Sequence, residues 1–181
     1  PIVLELGCGK GEYSIGLAKK YSNINFIGID IKGARIWSGA REAYDQEMKN
    51  VAFLRIPIEF IDHCFGKNEI DEIWITFPDP QLKLKRAKKR LTHPNFLNLY
   101  NNFLKKNGII HLKTDSQRLH LFTLEIIHKE KHILFDSNPN LYSNSCIKDD
   151  LNLKTYYERK FLEKGKPITY IRFALNYNSN D

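Results

Sequence analysis

Cysteine is scarce in this chain, with three residues in 181, namely Cys8, Cys64 and Cys146. They lie far apart, are odd in number and form no Cys-x-x-Cys pair, which argues against a disulfide framework and against a zinc site. The six histidines show no metal-ligand spacing either. We therefore expect no bound metal, and unpaired thiols fit the reducing environment of the cytoplasm.

The sequence also lacks a long apolar run and a charged-then-apolar leader, so no membrane association is expected. An initiator methionine is absent, and Pro1 opens directly into an apolar, strand-like stretch. We expect one domain over residues 1–181 that lacks a natural N-terminal segment. Acidic residues are outnumbered, and 28 Lys and Arg against 21 Asp and Glu give a net charge of +7, which favours nucleic acid as a partner.

Apolar runs of strand length alternate with segments of helical spacing along the chain. Strands are expected over residues 1–6, 24–29, 51–56, 70–77, 109–113, 132–135 and 168–175. Helices are expected over residues 12–21, 32–48, 117–129 and 151–164, with a further one that starts at Thr92-His93-Pro94 and stops at Asn107-Gly108. Residues 137–150 are expected to form a long loop. This alternation predicts an α/β fold with a doubly wound, mostly parallel seven-stranded sheet and helices on both faces.

A glycine-rich turn follows the first expected strand, with Gly7, Gly9 and Gly11 directly after Glu5-Leu6. Glycines at this place let the backbone turn tightly and approach a ligand closely. The pattern is GxGxG and not the GxGxxG of dinucleotide-binding proteins, which disfavours a nicotinamide dehydrogenase. Because Asp30 ends the second strand, where an acid can hold a ribose diol, the set fits S-adenosylmethionine, with a glycine-rich turn that binds no ligand as the alternative.

An acid flanked by prolines, Phe77-Pro78-Asp79-Pro80, follows the fourth expected strand. Proline on both sides restricts the backbone and aims the Asp79 side chain. Six of the eight residues in the basic run Lys83–Arg90 are Lys or Arg. A cationic segment beside a strand-end acid favours an RNA substrate. The plainer interpretations are a capped turn and a solvated loop.

Five motifs resemble, in order and spacing, those of the bacterial tRNA (guanine-N7)-methyltransferase family. These motifs are Gly9-Lys10-Gly11, Phe77-Pro78-Asp79-Pro80, Lys89-Arg90-Leu91, Lys113-Thr114-Asp115 and Thr155-Tyr156-Tyr157-Glu158-Arg159-Lys160-Phe161. The resemblance implies a Rossmann-like class I methyltransferase fold and a cytoplasmic enzyme, monomeric or homodimeric. It further implies that the enzyme methylates the variable-loop guanine at position 46 of tRNA to 7-methylguanosine, with S-adenosylmethionine as cofactor.

The same resemblance implies roles for particular residues. Asp79 would lie between cofactor and guanine as the catalytic residue. Apart from the resemblance, we expect one of Tyr156 and Tyr157 to stack on the base and the other to pack inward. The implied cofactor-binding residues are Glu5, Gly7, Gly9, Gly11, Asp30, Glu59 and Asp79. The implied substrate-binding residues are Lys83, Asp115, Thr155, Tyr156, Tyr157 and Glu158. The implied contacts to the tRNA backbone are Lys85, Arg86, Lys88, Lys89 and Arg90.

Two positions depart from the family pattern. Gln81 stands where the family has Trp after Asp-Pro, and Pro57 stands where it has an acid after the third strand. In place of that acid, adenine would be bound by Glu59, two residues further along the chain, or by a backbone N–H. The departures keep two alternatives open: a catalytically silent RNA-binding module, and a methyltransferase for another nucleobase or a protein side chain.

The chemistry of the nucleobase suggests how such a site works. Guanine N7 carries an exposed lone pair at neutral pH, so no proton has to be removed before it attacks a sulfonium methyl group. We therefore expect an in-line displacement governed by positioning and electrostatics. In this hypothesis Asp79 orients the guanine and stabilises the cationic product and is not an obligatory base.

Overall fold

The computed structural model describes residues 1–143, 147 and 149–176. The strands are β1 (Ile2–Leu6), β2 (Asn25–Asp30), β3 (Val51–Arg55), β4 (Ile70–Thr76), β5 (Leu104–Thr114), β6 (Ile133–Asn138) and β7 (Thr169–Ala174). The α-helices are α1 (Glu12–Lys20), α2 (Gly33–Asp45), α3 (Pro94–Tyr100), α4 (Gln117–Lys129) and α5 (Tyr156–Glu163). Short 3₁₀ helices cover Ile58–His63, Leu84–Lys89 and Leu141–Ser143.

The seven strands form a single sheet in the order β3-β2-β1-β4-β5-β7-β6. The first five strands in this order are parallel to one another, whereas β7 runs antiparallel to both β5 and β6. The predicted doubly wound, mostly parallel sheet is therefore confirmed. Strand order reverses between β1 and β4, and such a switch point opens a crevice at the carboxyl ends of the strands.

Two hydrophobic clusters cover the two faces of the sheet. Ile73 and Ile75 of β4 belong to one cluster, and Trp74 between them belongs to the other, because successive strand residues point to opposite faces. Helices α3 and α4 supply the first cluster with residues such as Phe96 and Leu119. Helix α1 supplies the second, which also receives buried residues from the segment that follows β6. The sheet is thus held between layers, with its carboxyl edge free for a site.

Several predicted boundaries need correction. The predicted helix that stops at Asn107-Gly108 ends at Tyr100, and β5 already begins at Leu104 because that residue pairs with Ile70 of β4. The helix predicted over residues 151–164 is only Tyr156–Glu163. The predicted loop over 137–150 contains the end of β6 and a 3₁₀ turn, and its residues 144–146 and 148 lie outside the described residues.

Cys8 is buried and Cys64 is exposed, and neither forms a disulfide, while Cys146 lies outside the described residues. Within the described part of the chain, no three His, Cys, Asp or Glu side chains are grouped to hold a metal ion. No helix in the same residues has the length and apolarity needed to cross a bilayer.

Gly39 brings α2 against the glycine-rich turn. A Cβ at this position would lie 2.5 Å from the Lys10 carbonyl oxygen and 2.7 Å from the Phe53 ring. We expect Gly39→Ala to lower the free energy of unfolding by about 1–3 kcal/mol, because backbone cannot yield as a side chain can. Urea unfolding followed by circular dichroism measures the change.

Gly33→Ala is the matched control in the same helix. Its Cβ would meet the flexible Arg55 side chain no closer than 3.4 Å. The gain in helix propensity, up to about 1 kcal/mol, should then leave the protein as stable as before or slightly more so. Equal effects of the two substitutions would contradict the close packing of α2 on the turn.

Candidate active site

The glycine-rich turn after β1 has the geometry that its sequence predicts. Gly7, Gly9 and Gly11 all have positive φ values, of 75°, 56° and 73°. This left-handed region is open to glycine at little cost and strains other residues. The N–H groups of Gly7 and Cys8 both donate to the Ile29 carbonyl, at 2.8 and 2.9 Å, so the turn is fastened to the end of β2.

Glu5 lies near the end of β1 on the floor of the site, with 5% of its surface exposed. Its Oε1 accepts a hydrogen bond from Thr76 Oγ1 at 2.6 Å, and its Oε2 accepts from the Ser14 N–H and Oγ at 2.9 and 2.5 Å. Burial raises the pKa of the Glu5 carboxyl, and the bonds from Ser14 and Thr76 offset part of that rise. A fixed, buried carboxylate of this kind favours a cationic partner.

Asp30 ends β2 on the other side of the turn and is also buried. One carboxylate oxygen accepts the Gly9 N–H at 3.0 Å, and the other accepts the Lys32 N–H at 2.8 Å. The acid therefore fixes the turn and still borders a cavity. Oxygen atoms held in this way can accept further bonds from the hydroxyl groups of a ligand.

Two adjoining cavities extend along the carboxyl edge of the sheet, and both are bordered by Gly7, Arg35 and Phe77. The smaller cavity has a volume of about 140 Å³ and the larger about 560 Å³. Predicted site residues at the smaller cavity are Glu5, Gly7, Gly9, Thr155, Tyr156 and Tyr157. Predicted site residues at the larger cavity are Gly7, Asp30, Glu59, Asp79 and Lys89. The structure thus collects most of the predicted cofactor residues around one elongated groove, and Gly11 supports it from the turn.

The segment Phe77–Gln81, which we call the Asp79 loop, leaves β4 at the border of the two cavities. Phe77 and Gln81 are both left-handed, with φ values of 47° and 46°, although neither is glycine. The Phe77 N–H donates to the Lys113 carbonyl at 2.8 Å, and Asp79 Oδ1 accepts the Gln81 N–H at 3.0 Å. The Asp79 side chain is exposed to the groove, as the flanking prolines predict.

The segment Thr155–Glu158 forms the opposite wall. Thr155 caps α5, since its Oγ1 accepts the Glu158 N–H at 3.3 Å. Tyr156 and Tyr157 are 45% and 50% exposed and meet edge to face with ring centroids 5.6 Å apart. The prediction that one of them packs inward is therefore wrong, because both rings stand at the smaller cavity.

Glu158 is fully buried and pairs with Lys113 of β5, also fully buried, at 2.8 Å. Lys113 Nζ further donates to the carbonyls of Leu151 and Leu153, at 2.7 and 3.1 Å. Burial lowers the pKa of the Lys113 ammonium, and Glu158 partly restores it. The predicted substrate residue Glu158 lies beneath the groove wall, and its Oε2 has no hydrogen-bond partner among the described residues.

Lys113 is a site residue that the sequence interpretation missed. The available signal was a lysine placed directly after the apolar run of β5 and before Thr114-Asp115. Asp115, another predicted substrate residue, lies beyond both cavities and accepts a bond from Lys166 at 2.9 Å.

The basic run lies mainly on the surface, with the 3₁₀ helix Leu84–Lys89 burying no residue. The exposed cations are Lys83, Lys85, Arg86, Lys88 and Lys89. Arg90 departs from the prediction, because it is only 4% exposed and its guanidinium faces backbone carbonyls of the Asp79 loop. A side chain so buried does not reach an RNA phosphate, and its assignment to the tRNA backbone is corrected.

Comparisons with known proteins agree with this architecture. Residues 1–171 match the protein family described as "Putative methyltransferase". A tRNA (guanine-N(7)-)-methyltransferase of Christiangramia forsetii is 54% identical over 97% of this chain and 79% of its own length. One from Porphyromonas gingivalis is 50% identical, with 97% and 71% covered. Among solved structures, a 30S ribosomal A1408 methyltransferase from an uncultured bacterium superimposes with a TM-score of 0.69 at 23% identity, over 97% of this chain and 87% of that one.

The sheet order, the antiparallel β7 and the glycine-rich turn define a methyltransferase of the class I fold. Within that class, sequence identity of about half over nearly the whole chain is decisive. The chain belongs to the tRNA (guanine-N7)-methyltransferase family.

The buried Lys113–Glu158 pair gives a stability test of the groove wall. We expect Lys113→Met to lower the free energy of unfolding by about 3–5 kcal/mol, because it leaves the Glu158 carboxylate buried without its cation. Urea unfolding at neutral pH measures the loss.

Lys166→Met is the control, since it removes a lysine whose pair with Asp115 is half exposed on the lysine side. Exposed pairs contribute about 0–1 kcal/mol, so little should change. The role given to Lys113 is wrong if both variants lose the same stability.

Proposed function

We propose that this chain transfers a methyl group from S-adenosylmethionine to N7 of guanine 46 in the variable loop of tRNA. The proposal rests on the position of Asp79 at the border of the groove. The base of this groove is formed by Glu5 and Asp30. The names of relatives about half identical to this chain support the same reaction.

The groove fits S-adenosylmethionine in size and in chemistry. The larger cavity, at about 560 Å³, falls within the range of about 300–1,000 Å³ that is usual for small-molecule sites. Glu5 offers a buried carboxylate for the amino group, and Asp30 offers oxygens for the ribose hydroxyls. Glu59 and the backbone around Pro57 border the larger cavity at the end of β3, where adenine would be read. When bound, the cofactor supplies a methyl group made electrophilic by a sulfonium.

Asp79 acts on the guanine. Its carboxylate accepts N–H bonds from the base and stabilises the positive charge that the ring acquires as N7 gains the methyl group. Because the N7 lone pair is free at neutral pH, Asp79 does not have to remove a proton. A fixed charge that is already in place needs no reorganisation during the reaction, and this is the source of its effect.

The opposite wall of the groove holds the base. Tyr156 and Tyr157 present exposed rings on which a guanine extruded from the RNA stack can lie. Thr155 fixes the start of α5 beneath them, and Glu158 anchors that helix to β5. Lys83 and Asp115, which border neither cavity, contact the substrate nucleotide in the proposal.

The exposed part of the basic run docks the tRNA. Lys85, Arg86, Lys88 and Lys89 lie in or beside the 3₁₀ helix that follows the Asp79 loop. Each cation that meets a phosphate releases a counterion, so binding should weaken steeply as salt rises. Affinity for tRNA then comes from this surface, whereas the choice of base comes from the groove.

The direct test is methyl transfer from labelled S-adenosylmethionine to unmodified tRNA, with the product nucleosides separated. We expect 7-methylguanosine, and a tRNA with guanine 46 replaced should accept no label. Another methylated nucleoside would assign a different base. Cofactor binding without any transfer would support a catalytically silent RNA-binding module.

Asp79→Asn tests the role of the carboxylate, since the amide keeps the size and loses the charge. We expect kcat to fall on the order of 10²-fold, because the charge acts on the developing cation. Asp45→Asn, at an exposed acid paired with Arg41 on the outside of α2, should change kcat by less than about twofold. Near-wild-type turnover of Asp79→Asn with unchanged affinity for tRNA would remove Asp79 from the mechanism.

A further inference from the structure

We propose that Arg90 is a positioning residue that holds the Asp79 loop in its reactive conformation and does not contact tRNA. This inference rests on the proposed function, because it concerns the residue that the proposal places on the guanine. The inference gives Arg90 a different role from the other cations of the basic run, although all of them lie in one continuous segment of the sequence.

The side chain of Arg90 makes its contacts with the protein and not with the surface. Its Nε donates to the Pro80 carbonyl at 3.2 Å, and one terminal nitrogen donates to the Gln81 carbonyl at 3.1 Å. The guanidinium carbon lies 4.3 Å from the centre of the Phe122 ring on α4. The planar group therefore joins the two residues after Asp79 to a helix that packs on the core, and only 4% of the residue remains exposed.

The Asp79 loop needs such support because its backbone is strained. Phe77 and Gln81 both occupy the left-handed region, which costs a residue other than glycine about 1–2 kcal/mol. Strained residues persist where surrounding contacts hold them, and they are common at functional sites. Here the Lys113 carbonyl holds the start of the loop through the Phe77 N–H, and Arg90 holds its end.

The hydrogen bonds also link the orientation of the Asp79 carboxylate to the position of the Arg90 guanidinium. The Pro80 carbonyl accepts from Arg90 Nε at 3.2 Å, and the Gln81 N–H of the same planar peptide unit donates to Asp79 Oδ1 at 3.0 Å. Rotation of this peptide unit would therefore break the bond that orients the carboxylate. Misplacement of a reacting group by about 1 Å can cost on the order of 10²-fold in rate.

Arg90→Lys separates geometry from charge, because lysine keeps the positive charge but lacks the planar fork that serves two carbonyls at once. We expect kcat to fall about 10- to 100-fold. The Kd for S-adenosylmethionine and the KM for tRNA should stay within about twofold, since charge and docking surface are kept. Arg41→Lys, an exposed arginine outside the site, is the matched control and should keep the wild-type kcat.

The salt dependence of tRNA binding distinguishes positioning from phosphate contact. Lys85→Gln should reduce the slope of log Kd against log salt by about one, as loss of one phosphate contact does. Arg90→Lys and Arg90→Gln should both leave the slope at its wild-type value. A slope for Arg90→Gln that falls as it does for Lys85→Gln would overturn the proposal.

A double variant tests whether Arg90 acts through Asp79. In an Asp79→Asn background, Arg90→Lys should reduce kcat by less than about twofold, because residues that act as one unit are not additive. Full additivity, or a wild-type kcat in the single Arg90→Lys variant, would contradict the inference.

A thermal melt of each variant checks folding. Should Arg90→Lys fail to fold, Phe122→Leu removes the ring behind the guanidinium and keeps its hydrogen bonds. It should lower kcat with an unchanged salt slope, and a wild-type kcat would count against the proposal. Formation of 7-methylguanosine by the wild-type chain is judged separately, so failure of the proposed function is distinguishable from failure of this inference.

Discussion

The parallel pairing of β1 with β4 is the constraint on which the site depends. Glu5 lies beside Trp74 and Leu6 beside Ile75, so the two strands end together at the carboxyl edge. This register places Thr76 within hydrogen-bonding distance of the buried Glu5 carboxylate. It also makes the glycine-rich turn and the Asp79 loop leave the sheet side by side. A shift of the strands by one residue would turn each side chain to the opposite face and dismantle the site.

The protein uses buried charge to hold loops that the sheet does not hold. At the end of β5, Lys113 donates hydrogen bonds to two carbonyls and pairs with the Glu158 carboxylate. Arg90 donates to two carbonyls of the Asp79 loop. Burying a charge is costly unless it is paired and fully hydrogen-bonded. Lys113 meets that condition through Glu158, whereas Arg90 has two carbonyls and the Phe122 ring as its partners. Both cations lie against segments close to the groove, so the cost is incurred where exact placement of the backbone matters most.

The sequence predicts those helices and turns whose conformation depends on residues that are neighbours in the chain. Helix α4 was predicted with its observed bounds, because Ser116 caps it and apolar residues recur at helical spacing. The glycine-rich turn followed from glycines, which permit positive φ, and the orientation of Asp79 was predicted from prolines, which restrict the backbone. The start of β5 was not predictable, because Leu104 pairs with a distant residue of β4.

The burial of Arg90 and Glu158 escaped prediction for a related reason. A charged residue is normally taken as exposed, and only its distant partners show otherwise. For Glu158 that partner is Lys113 on β5, and for Arg90 it is the ring of Phe122 on α4. Motif spacing predicted many of the residues around the groove, but it did not separate those that border a cavity from those that support the wall.

The position of β7 has a consequence for the growing chain. Although β7 follows the other six strands in the described part of the chain, it lies between β5 and β6 and pairs with both. Until it emerges from the ribosome, β5 keeps an open edge and β6 has no neighbour in the sheet. Helix α5, with Thr155 and the two exposed tyrosines, comes just before β7 and is positioned in the same late step. A nascent chain thus contains the glycine-rich turn and the Asp79 loop before it contains the wall Thr155–Glu158 that faces them.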